Sequence, residues 1–230
     1  MSIAENVARI KAEIEKAALA AGRDPNSIKL CAATKMNDAD AVRHAIAAGV
    51  DCCGENRVQE LTQKLSENAY EGAPVHFIGH LQTNKVKQVV GKVSLIHSID
   101  SLRLLEAVSK EAQKQGITQD ILLEVNIAGE ESKSGFGPDE VDSVLSQISR
   151  FPAIRVLGLM AIPPICQNFT DNHKFFQKMY QLAVDITEKK YDNVCVDILS
   201  MGMSDNFADA VACGSTMIRV GTAIFGSRGY

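Results

Sequence analysis

Residues 194–226, VCVDILSMGMSDNFADAVACGSTMIRVGTAIFG, combine strand and helix patterns that indicate a parallel sheet. The run Val194–Leu199 is mostly apolar and predicts a buried strand, and Met217–Val220 predicts a second one. A helical pattern that ends near Gly214 separates the two runs. A strand, a helix and another strand within about 30 residues form one unit of a parallel sheet.

The same unit repeats along the chain. Strands are predicted at eight mostly apolar runs: Lys29–Thr34, Val50–Gly54, Val75–Gly79, Val93–Ile99, Ile121–Ile127, Arg155–Ile162, Val194–Leu199 and Met217–Val220. Runs that are apolar on both faces are typical of parallel strands. Eight such units without a linker rich in Pro, Gly or Ser predict one domain over residues 1–230, a single (β/α)8 TIM barrel. A doubly wound open sheet is the alternative, because periodicity does not show closure.

Periodicity and capping signals place the helices. An additional N-terminal helix carries apolar residues at helical spacing from Ile3 and ends at Gly22. Asn56 followed by Gln59 resembles the capping box of the helix after strand two. Pro138 is expected at the first position of a later helix.

The charge balance excludes several classes of partner. There are 24 Lys and Arg residues against 28 Asp and Glu, a net charge of −4, so the positive field that nucleic acid or an anionic membrane requires is missing. No apolar run approaches the ~20 residues of a membrane span, and the charged N-terminus does not resemble a signal peptide. The cysteines form no C-x-x-C pair, which predicts the reduced thiols of a cytoplasmic protein. They are Cys31, Cys52, Cys53, Cys166, Cys195 and Cys213.

Function in a barrel is expected at the C-terminal ends of the strands. Lys35 follows the first apolar run directly, which would hold its amine near the mouth of the barrel. Burial lowers the pKa of an amine, and a neutral amine attacks an aldehyde to form a Schiff base. A lysine that only extends to solvent at a strand end is the simpler interpretation of this position alone.

The ends of strands seven and eight favour phosphate binding. Small residues, hydroxyls and free N–H groups at the helix starts in Ser200–Ser204 and Gly221–Thr222 suit a phosphate. The alternatives are a helix N-cap for Ser204 and a turn for Gly221. Arg219 lies within the last strand and needs an acceptor, either a carboxylate in a structural ion pair or a ligand atom.

Other polar residues near the strand ends are less informative. His76 and His80 do not predict a metal site, because four residues along a strand span about 13 Å. Lys133, after strand five, offers a second amine near the mouth, although a solvated surface position is its default interpretation. The combination of Lys35, Arg219 and the two phosphate segments suggests pyridoxal 5′-phosphate.

Seven motifs resemble the YggS/PROSC family of pyridoxal phosphate homeostasis proteins, whose fold is similar to the N-terminal barrel of alanine racemase. They are AATK at 32–35, GENRVQE at 54–60, HFIGHLQTNK at 76–85, SKSGF at 132–136, GLMAI at 158–162, SMGMSDNF at 200–207 and RVGTAIFG at 219–226. Several long motifs in one order along nearly the whole chain make the resemblance specific. One departure is His80, where many members have a proline or a serine.

The resemblance implies roles for individual residues. Lys35 would hold pyridoxal 5′-phosphate as an internal aldimine, with Asn56 and His76 close to the cofactor ring. The residues implied at the phosphate are Ser200, Ser204, Gly221 and Thr222. Arg219 matches an arginine that faces the pyridine nitrogen in the related racemase barrel, where it weakens the cofactor as an electron sink.

These features predict a cytoplasmic, monomeric protein that takes part in intracellular pyridoxal phosphate homeostasis. Enzymes that use this cofactor are its expected recipients, and no catalytic residue is expected. Racemisation needs an acid and a base on opposite faces of the substrate carbon. Lys35 serves one face, no residue clearly serves the other, and no second domain is expected beyond strand eight. A pyridoxal phosphate-dependent amino-acid racemase is the alternative, and a Schiff-base aldolase that uses Lys35 without a cofactor is a second one.

Overall fold

The computed structural model describes residues 1–164 and 169–226, so Cys166 and Tyr230 lie outside the described residues. Eight parallel strands pair in sequence order and form a closed barrel. Closure is made by β1 and β8, which pair from Lys29 with Met217 to Ala32 with Val220. The predicted (β/α)8 barrel is therefore confirmed, and the open sheet is excluded.

The elements alternate along the chain. The strands are β1 Lys29–Ala33, β2 Cys52–Glu55, β3 Val75–Phe77, β4 Leu95–Ile99, β5 Gln119–Glu124, β6 Ile154–Met160, β7 Val194–Ser200 and β8 Met217–Val220. The helices are α1 Ile3–Ala20, α2 Ala39–Ala47, α3 Val58–Ser66, α4 Leu102–Gln115, α5 Pro138–Leu145, α6 Phe169–Lys189, α7 Phe207–Ala212 and α8 Thr222–Phe225, with short 3-10 helices at Pro25–Ser27, Thr83–Gln88 and Ile148–Arg150. Helix α1 precedes the first strand, as predicted.

Two helix predictions have different outcomes. Helix α5 begins at Pro138, as expected for a proline at the first helical position. The capping box assigned to Asn56 and Gln59 is wrong, because α3 begins at Val58 and its cap residue is Arg57, which makes no side-chain capping bond. Asn56 therefore lies in the loop between β2 and the helix, where its side chain is available for another purpose.

Helix α1 is attached to the barrel by an apolar stripe. Its first turn has a reciprocal capping box between Ser2 and Glu5. Val7 and Ile10 are fully buried, and the helix packs against α2, α7 and α8. The Asn6 side chain donates a hydrogen bond to the Ile224 carbonyl at 2.9 Å, which ties the first helix to the last one.

Alternation along the strands decides what fills the barrel. One face of each strand contributes to two apolar clusters, which contain Cys31, Ala33, Cys52, Ile78 and Met217 in one case and Leu95, Leu122 and Met160 in the other, with Ile198 against both. Because side chains two positions apart share a face, a polar set points the same way, and its members are His76, His97, Glu124, Ser200 and Arg219. All five side chains are buried. The barrel interior therefore contains a polar layer among its apolar contacts.

No helix within residues 1–164 and 169–226 combines the length and the hydropathy that crossing a bilayer requires.

Candidate functional site

Lys35 lies in the turn that follows β1 and is half-buried. Among the residues that the structure describes, its ammonium makes no hydrogen bond or ion pair. The next residue, Met36, has a left-handed backbone with φ of 61°, a conformation that costs an L-residue about 1–2 kcal/mol. A strained turn with a free amine requires contacts elsewhere that hold it in place.

A buried ion pair holds the N-terminal side of this turn. Lys64 of α3 donates to the Thr34 carbonyl at 2.7 Å and to Glu55 Oε1 at 2.6 Å. The same carboxylate oxygen accepts from Thr34 Oγ1 at 2.5 Å and from the Tyr70 hydroxyl at 3.2 Å. Glu55, Lys64 and Tyr70 are all buried. The carbonyl immediately before Lys35 is therefore attached to a charged network inside the protein.

A second contact holds the other side of the turn. Glu60, also on α3, accepts a hydrogen bond from the Met36 backbone N–H at 2.5 Å, and it lies 3.7 Å from the Lys64 ammonium. One helix thus fixes the backbone on both sides of Lys35. This arrangement fixes the direction in which the Lys35 side chain leaves the backbone.

Asn56 occupies the neighbouring position after β2. Its Oδ1 atom is buried and has no hydrogen-bond partner among the described residues, which is costly unless a ligand group supplies a donor. Gly79, after β3, packs directly on the Asn56 backbone. A Cβ at Gly79 would lie 2.1 Å from the Asn56 carbonyl oxygen, so only glycine fits there.

The two predicted phosphate segments meet. Ser204 Oγ accepts from the Ala223 N–H of α8 at 3.4 Å, so the loop after β7 contacts the start of the last helix. A Cβ at Gly221 would lie 3.3 Å from the Ala33 carbonyl, which places this segment beside the end of β1. The N-cap alternative for Ser204 is wrong, because the cap residue of α7 is Asn206.

The surroundings of Arg219 contradict one of the alternatives raised for it, the structural ion pair with a carboxylate. Its guanidinium donates to the Ser200 carbonyl at 2.8 Å, to Ser200 Oγ at 2.5 Å and to the Ala161 carbonyl at 3.0 Å. Within residues 1–164 and 169–226 its acceptors are thus carbonyls and a hydroxyl rather than a carboxylate. Burial lowers the pKa of Arg219 to about 10, so it keeps its charge at neutral pH. The Ser200 hydroxyl is buried and lies between Arg219 and His97.

Two histidines contact each other inside the barrel. His97 Nε2 lies 3.0 Å from His76 Nδ1, and His97 Nδ1 lies 3.1 Å from Ser200 Oγ. Burial lowers the pKa of His76 to about 4 and holds the pKa of His97 well below its usual range, with the charge of Arg219 contributing to the latter. Both imidazoles are therefore neutral at neutral pH.

Sequence reasoning did not single out His97, and it also missed Glu124, which lies at the end of β5. Burial, together with the charge of Asp100, raises the pKa of Glu124 to about 7. Asp100 Oδ2 also lies 3.2 Å from His80 Nδ1. A polar residue two positions from an apolar one in a strand run (Leu122 and Glu124, Leu95 and His97) was the available signal for an inward polar side chain.

One group of described residues has the ligand types and spacing of a metal site. The ligand atoms of Cys31, Cys52 and His76 lie within 4.8 Å of one another. A hydrogen bond with Cys31, followed by burial, raises the pKa of the Cys52 thiol well above its usual range, which favours the protonated form that does not bind metals. His76 Nδ1 is also engaged with His97.

Lys133 is less exposed to solvent than expected for an ordinary surface lysine. Its ammonium pairs with Glu130 at 2.8 Å and lies 3.4 Å from the Ile162 carbonyl. The two lysines near the mouth therefore differ, since Lys133 has partners that Lys35 lacks among the described residues.

Comparison with known proteins identifies the family. The sequence profile described as "Alanine racemase, N-terminal domain" matches residues 2–229. A pyridoxal phosphate homeostasis protein of Aquifex aeolicus is 41% identical over 230 residues, which cover 100% of both chains. The chain belongs to the pyridoxal phosphate homeostasis protein family. The resemblance stated from its motifs is confirmed.

Solved structures agree with this family and its barrel. A crystal structure of a protein from Bifidobacterium adolescentis has a TM-score of 0.93 and 38% identity, covering 97% of this chain and 94% of the other. PipY of Synechococcus elongatus, in a structure with pyridoxal phosphate bound, has a TM-score of 0.85 and 32% identity, covering 98% of this chain and 100% of PipY.

Proposed function

We propose that this chain binds pyridoxal 5′-phosphate at the mouth of its barrel and takes part in pyridoxal phosphate homeostasis, with little or no catalytic turnover. The observation that carries the proposal is the Lys35 amine. It has no partner among the described residues, it is held in a strained turn by α3, and it follows the strand that borders Gly221. The cofactor supplies an aldehyde, which reacts with a lysine amine to form a covalent bond.

Asn56 and Arg219 fit the cofactor ring. The buried Asn56 Oδ1 needs a hydrogen-bond donor. The guanidinium of Arg219 has five N–H groups, of which three have acceptors in the described structure. The remaining N–H groups suit the unprotonated pyridine nitrogen. An arginine there keeps the ring nitrogen without a proton, which weakens the cofactor as an electron sink.

The phosphate is assigned to the segments after β7 and β8. Ser204, Gly221 and Thr222 offer a hydroxyl pair and backbone N–H groups at the start of α8, which lie together because Ser204 contacts Ala223. We assign Ser200 a role other than the phosphate contact that the resemblance implies. Its hydroxyl is buried between Arg219 and His97, so we propose that it orients these two residues.

Low turnover is supported by the protonation states in the site. His76 is neutral, and its low pKa makes it a poor base. Glu124 is the observation that favours the racemase alternative, because a carboxyl with a pKa of about 7 suits proton transfer at neutral pH. Exchange of the α-proton of L-amino acids in deuterated water decides between the two. Exchange on the order of 1 per second or faster would establish the enzyme instead.

Trapping with borohydride tests the covalent site. The purified protein is mixed with pyridoxal phosphate, its absorbance is recorded, and the modified peptide is mapped after reduction. We expect one adduct in the wild type and in the matched control Lys133→Ala, and none in Lys35→Ala. An adduct retained by Lys35→Ala would overturn the assignment. A second adduct in the wild type that is missing from Lys133→Ala would reveal a second site at Lys133. A colourless protein that bonds another phosphorylated carbonyl compound would favour the aldolase.

The wider role is also a proposal. The charge of −4 and the absence of C-x-x-C pairs support a cytoplasmic protein, and we propose that it acts as a monomer that passes the cofactor to enzymes that depend on it. Light scattering during size-exclusion chromatography measures whether the protein is a monomer. Transfer of radiolabelled cofactor to an apo-enzyme measures whether it passes the cofactor on.

A further inference from the structure

Four buried side chains form a continuous hydrogen-bonded chain across the barrel interior. Arg219 Nη1 lies 2.5 Å from Ser200 Oγ, Ser200 Oγ lies 3.1 Å from His97 Nδ1, and His97 Nε2 lies 3.0 Å from His76 Nδ1. The four residues come from β8, β7, β4 and β3. The chain therefore connects the guanidinium of the site to a histidine that the family resemblance places near the cofactor ring.

The hydrogen bonds in this chain have a single consistent direction. Arginine only donates, so Ser200 Oγ accepts from Arg219. The Ser200 hydroxyl is buried, and His97 Nδ1 is the acceptor that the described residues offer to its hydrogen. A neutral imidazole has one N–H group, which in His97 must then be on Nε2 and donate to His76 Nδ1. The N–H group of His76 is consequently on Nε2.

The opposite direction leaves a buried donor unpaired. If His97 Nδ1 donated to Ser200, the serine hydrogen would have no acceptor among the described residues, at a cost of about 1–3 kcal/mol. The Cys52 thiol is compatible with this direction, because its Sγ lies 3.5 Å from His76 Nδ1 and a thiol either donates to or accepts from a ring nitrogen. The contact with His97 therefore decides that Nδ1 of His76 is an acceptor.

We propose that Ser200 and His97 are positioning residues that lock His76 in the Nε2–H tautomer, so that His76 offers the ligand a hydrogen-bond donor. The matching ligand group is an acceptor on the pyridoxal phosphate ring, and this second part rests on the proposed function. The tautomer itself does not depend on any ligand. Failure of one part can therefore be distinguished from failure of the other.

Nitrogen-15 NMR of the ligand-free protein tests the tautomer. The chain has five histidines, and a His76→Gln variant assigns the resonances of His76. We expect Nδ1 of His76 at the position of an unprotonated ring nitrogen and Nε2 at that of a protonated one. Ser200→Ala should produce a mixture of tautomers at His76, whereas Ser200→Thr should retain the single form. The opposite tautomer in the wild type would overturn the proposal, as would an unchanged spectrum in Ser200→Ala.

The chain offers a matched control on β4. Ser98, adjacent to His97, is equally buried, and its Oγ has no hydrogen-bond partner within the described residues. Ser98→Ala removes the same atom from the same barrel and should leave the His76 resonances unchanged. Tautomer mixing in this variant would attribute the effect to general loosening of the fold and would contradict the specific role of Ser200.

A double-mutant cycle tests the effect on the ligand. We expect Ser200→Ala to weaken pyridoxal phosphate binding about two- to tenfold in the wild-type background and to have no further effect on binding in a His76→Phe background. Additive losses would show that Ser200 contacts the ligand directly, which overturns the positioning role. If the wild type fails to bind pyridoxal phosphate, the proposed function fails, and the tautomer is still decided by the NMR spectrum.

Discussion

Lys64→Met isolates the contribution of the buried ion pair to the lysine turn. The substitution removes the ammonium that contacts Glu55 Oε1 at 2.6 Å and the Thr34 carbonyl at 2.7 Å, and it retains the length of the side chain. Glu55 then keeps a buried negative charge, and the donors left to Oε1 among the described residues are the hydroxyls of Thr34 and Tyr70. Its other oxygen, Oε2, already has no hydrogen-bond partner in the described structure.

The expected loss of stability is large. Side chains of Glu55 and Lys64 are 0% and 5% exposed, and removing one partner of such a pair costs about 3–5 kcal/mol. In a protein of this size each 1 kcal/mol shifts the melting temperature by about 2–4 °C, so Lys64→Met should melt about 6–20 °C lower. Urea unfolding measures the free energy directly. Adding Glu55→Gln to Lys64→Met should recover part of the loss, because no charge is then left buried.

An exposed pair provides the control. Lys189 and Asp142 are also in contact, but their side chains are 50% and 53% exposed, so Lys189→Met should cost less than about 1 kcal/mol. Equal losses in Lys64→Met and Lys189→Met would refute the argument from burial. Among molecules that remain folded, Lys64→Met should also bind pyridoxal phosphate more weakly, because the Thr34 carbonyl beside Lys35 loses its contact with α3. Unchanged affinity would show that the turn does not need this clamp.

Three further predictions follow from single contacts. Gly79→Ala should displace the Asn56 carbonyl, because the added Cβ would lie 2.1 Å from its oxygen. The affinity for pyridoxal phosphate should then fall severalfold, and a crystal structure of the variant with Asn56 unmoved would contradict this. Burial raises the pKa of Glu124 from 4.5 to about 7, so the protonated carboxyl stabilises the folded state fully below pH 4.5, and this stabilisation is lost as the pH rises to about 7. The free energy of unfolding of the wild type should therefore fall by roughly 3 kcal/mol over this range, and Glu124→Gln should abolish the fall. Urea unfolding at several pH values measures it, and identical pH slopes in both proteins would exclude this role of Glu124. Met36→Gly should relieve the φ of 61° and stabilise the chain by about 1 kcal/mol in the same assay, and a destabilised variant would show that the turn is unstrained.

The architecture was predictable because its signals are local. An apolar run and a helical stripe each occupy fewer than about 20 consecutive residues, and eight repeats leave few topologies to consider. Lys35 and the pair of segments at Ser204 and Gly221 could be singled out as candidates for the same reason, since a strand end can be read from the sequence beside it. The capping box at Asn56 failed because helix starts depend on where the preceding loop must go. That loop is constrained by Gly79, which is distant in sequence.

The polar interior was less accessible to sequence reasoning. His97 is 21 residues from His76 and 103 residues from Ser200, and only closure of the barrel brings these side chains together. Each one looks like an isolated polar residue within an apolar run. Their hydrogen-bond direction also depends on Arg219, whose acceptors could not be chosen from the sequence. Protonation states in the site are therefore consequences of tertiary structure.

The motif GENRVQE at 54–60 contains residues that support the turn around Lys35. Glu55 pairs with Lys64, which donates to the Thr34 carbonyl, and Glu60 accepts from the Met36 N–H. Two residues of the motif therefore support the turn around Lys35. In the proposed site Asn56 alone among the seven faces the cofactor. A search restricted to strand ends finds the lysine but misses the helix that keeps it in place. The proposed reactivity of Lys35 should therefore depend as strongly on α3 as on the strand that precedes it.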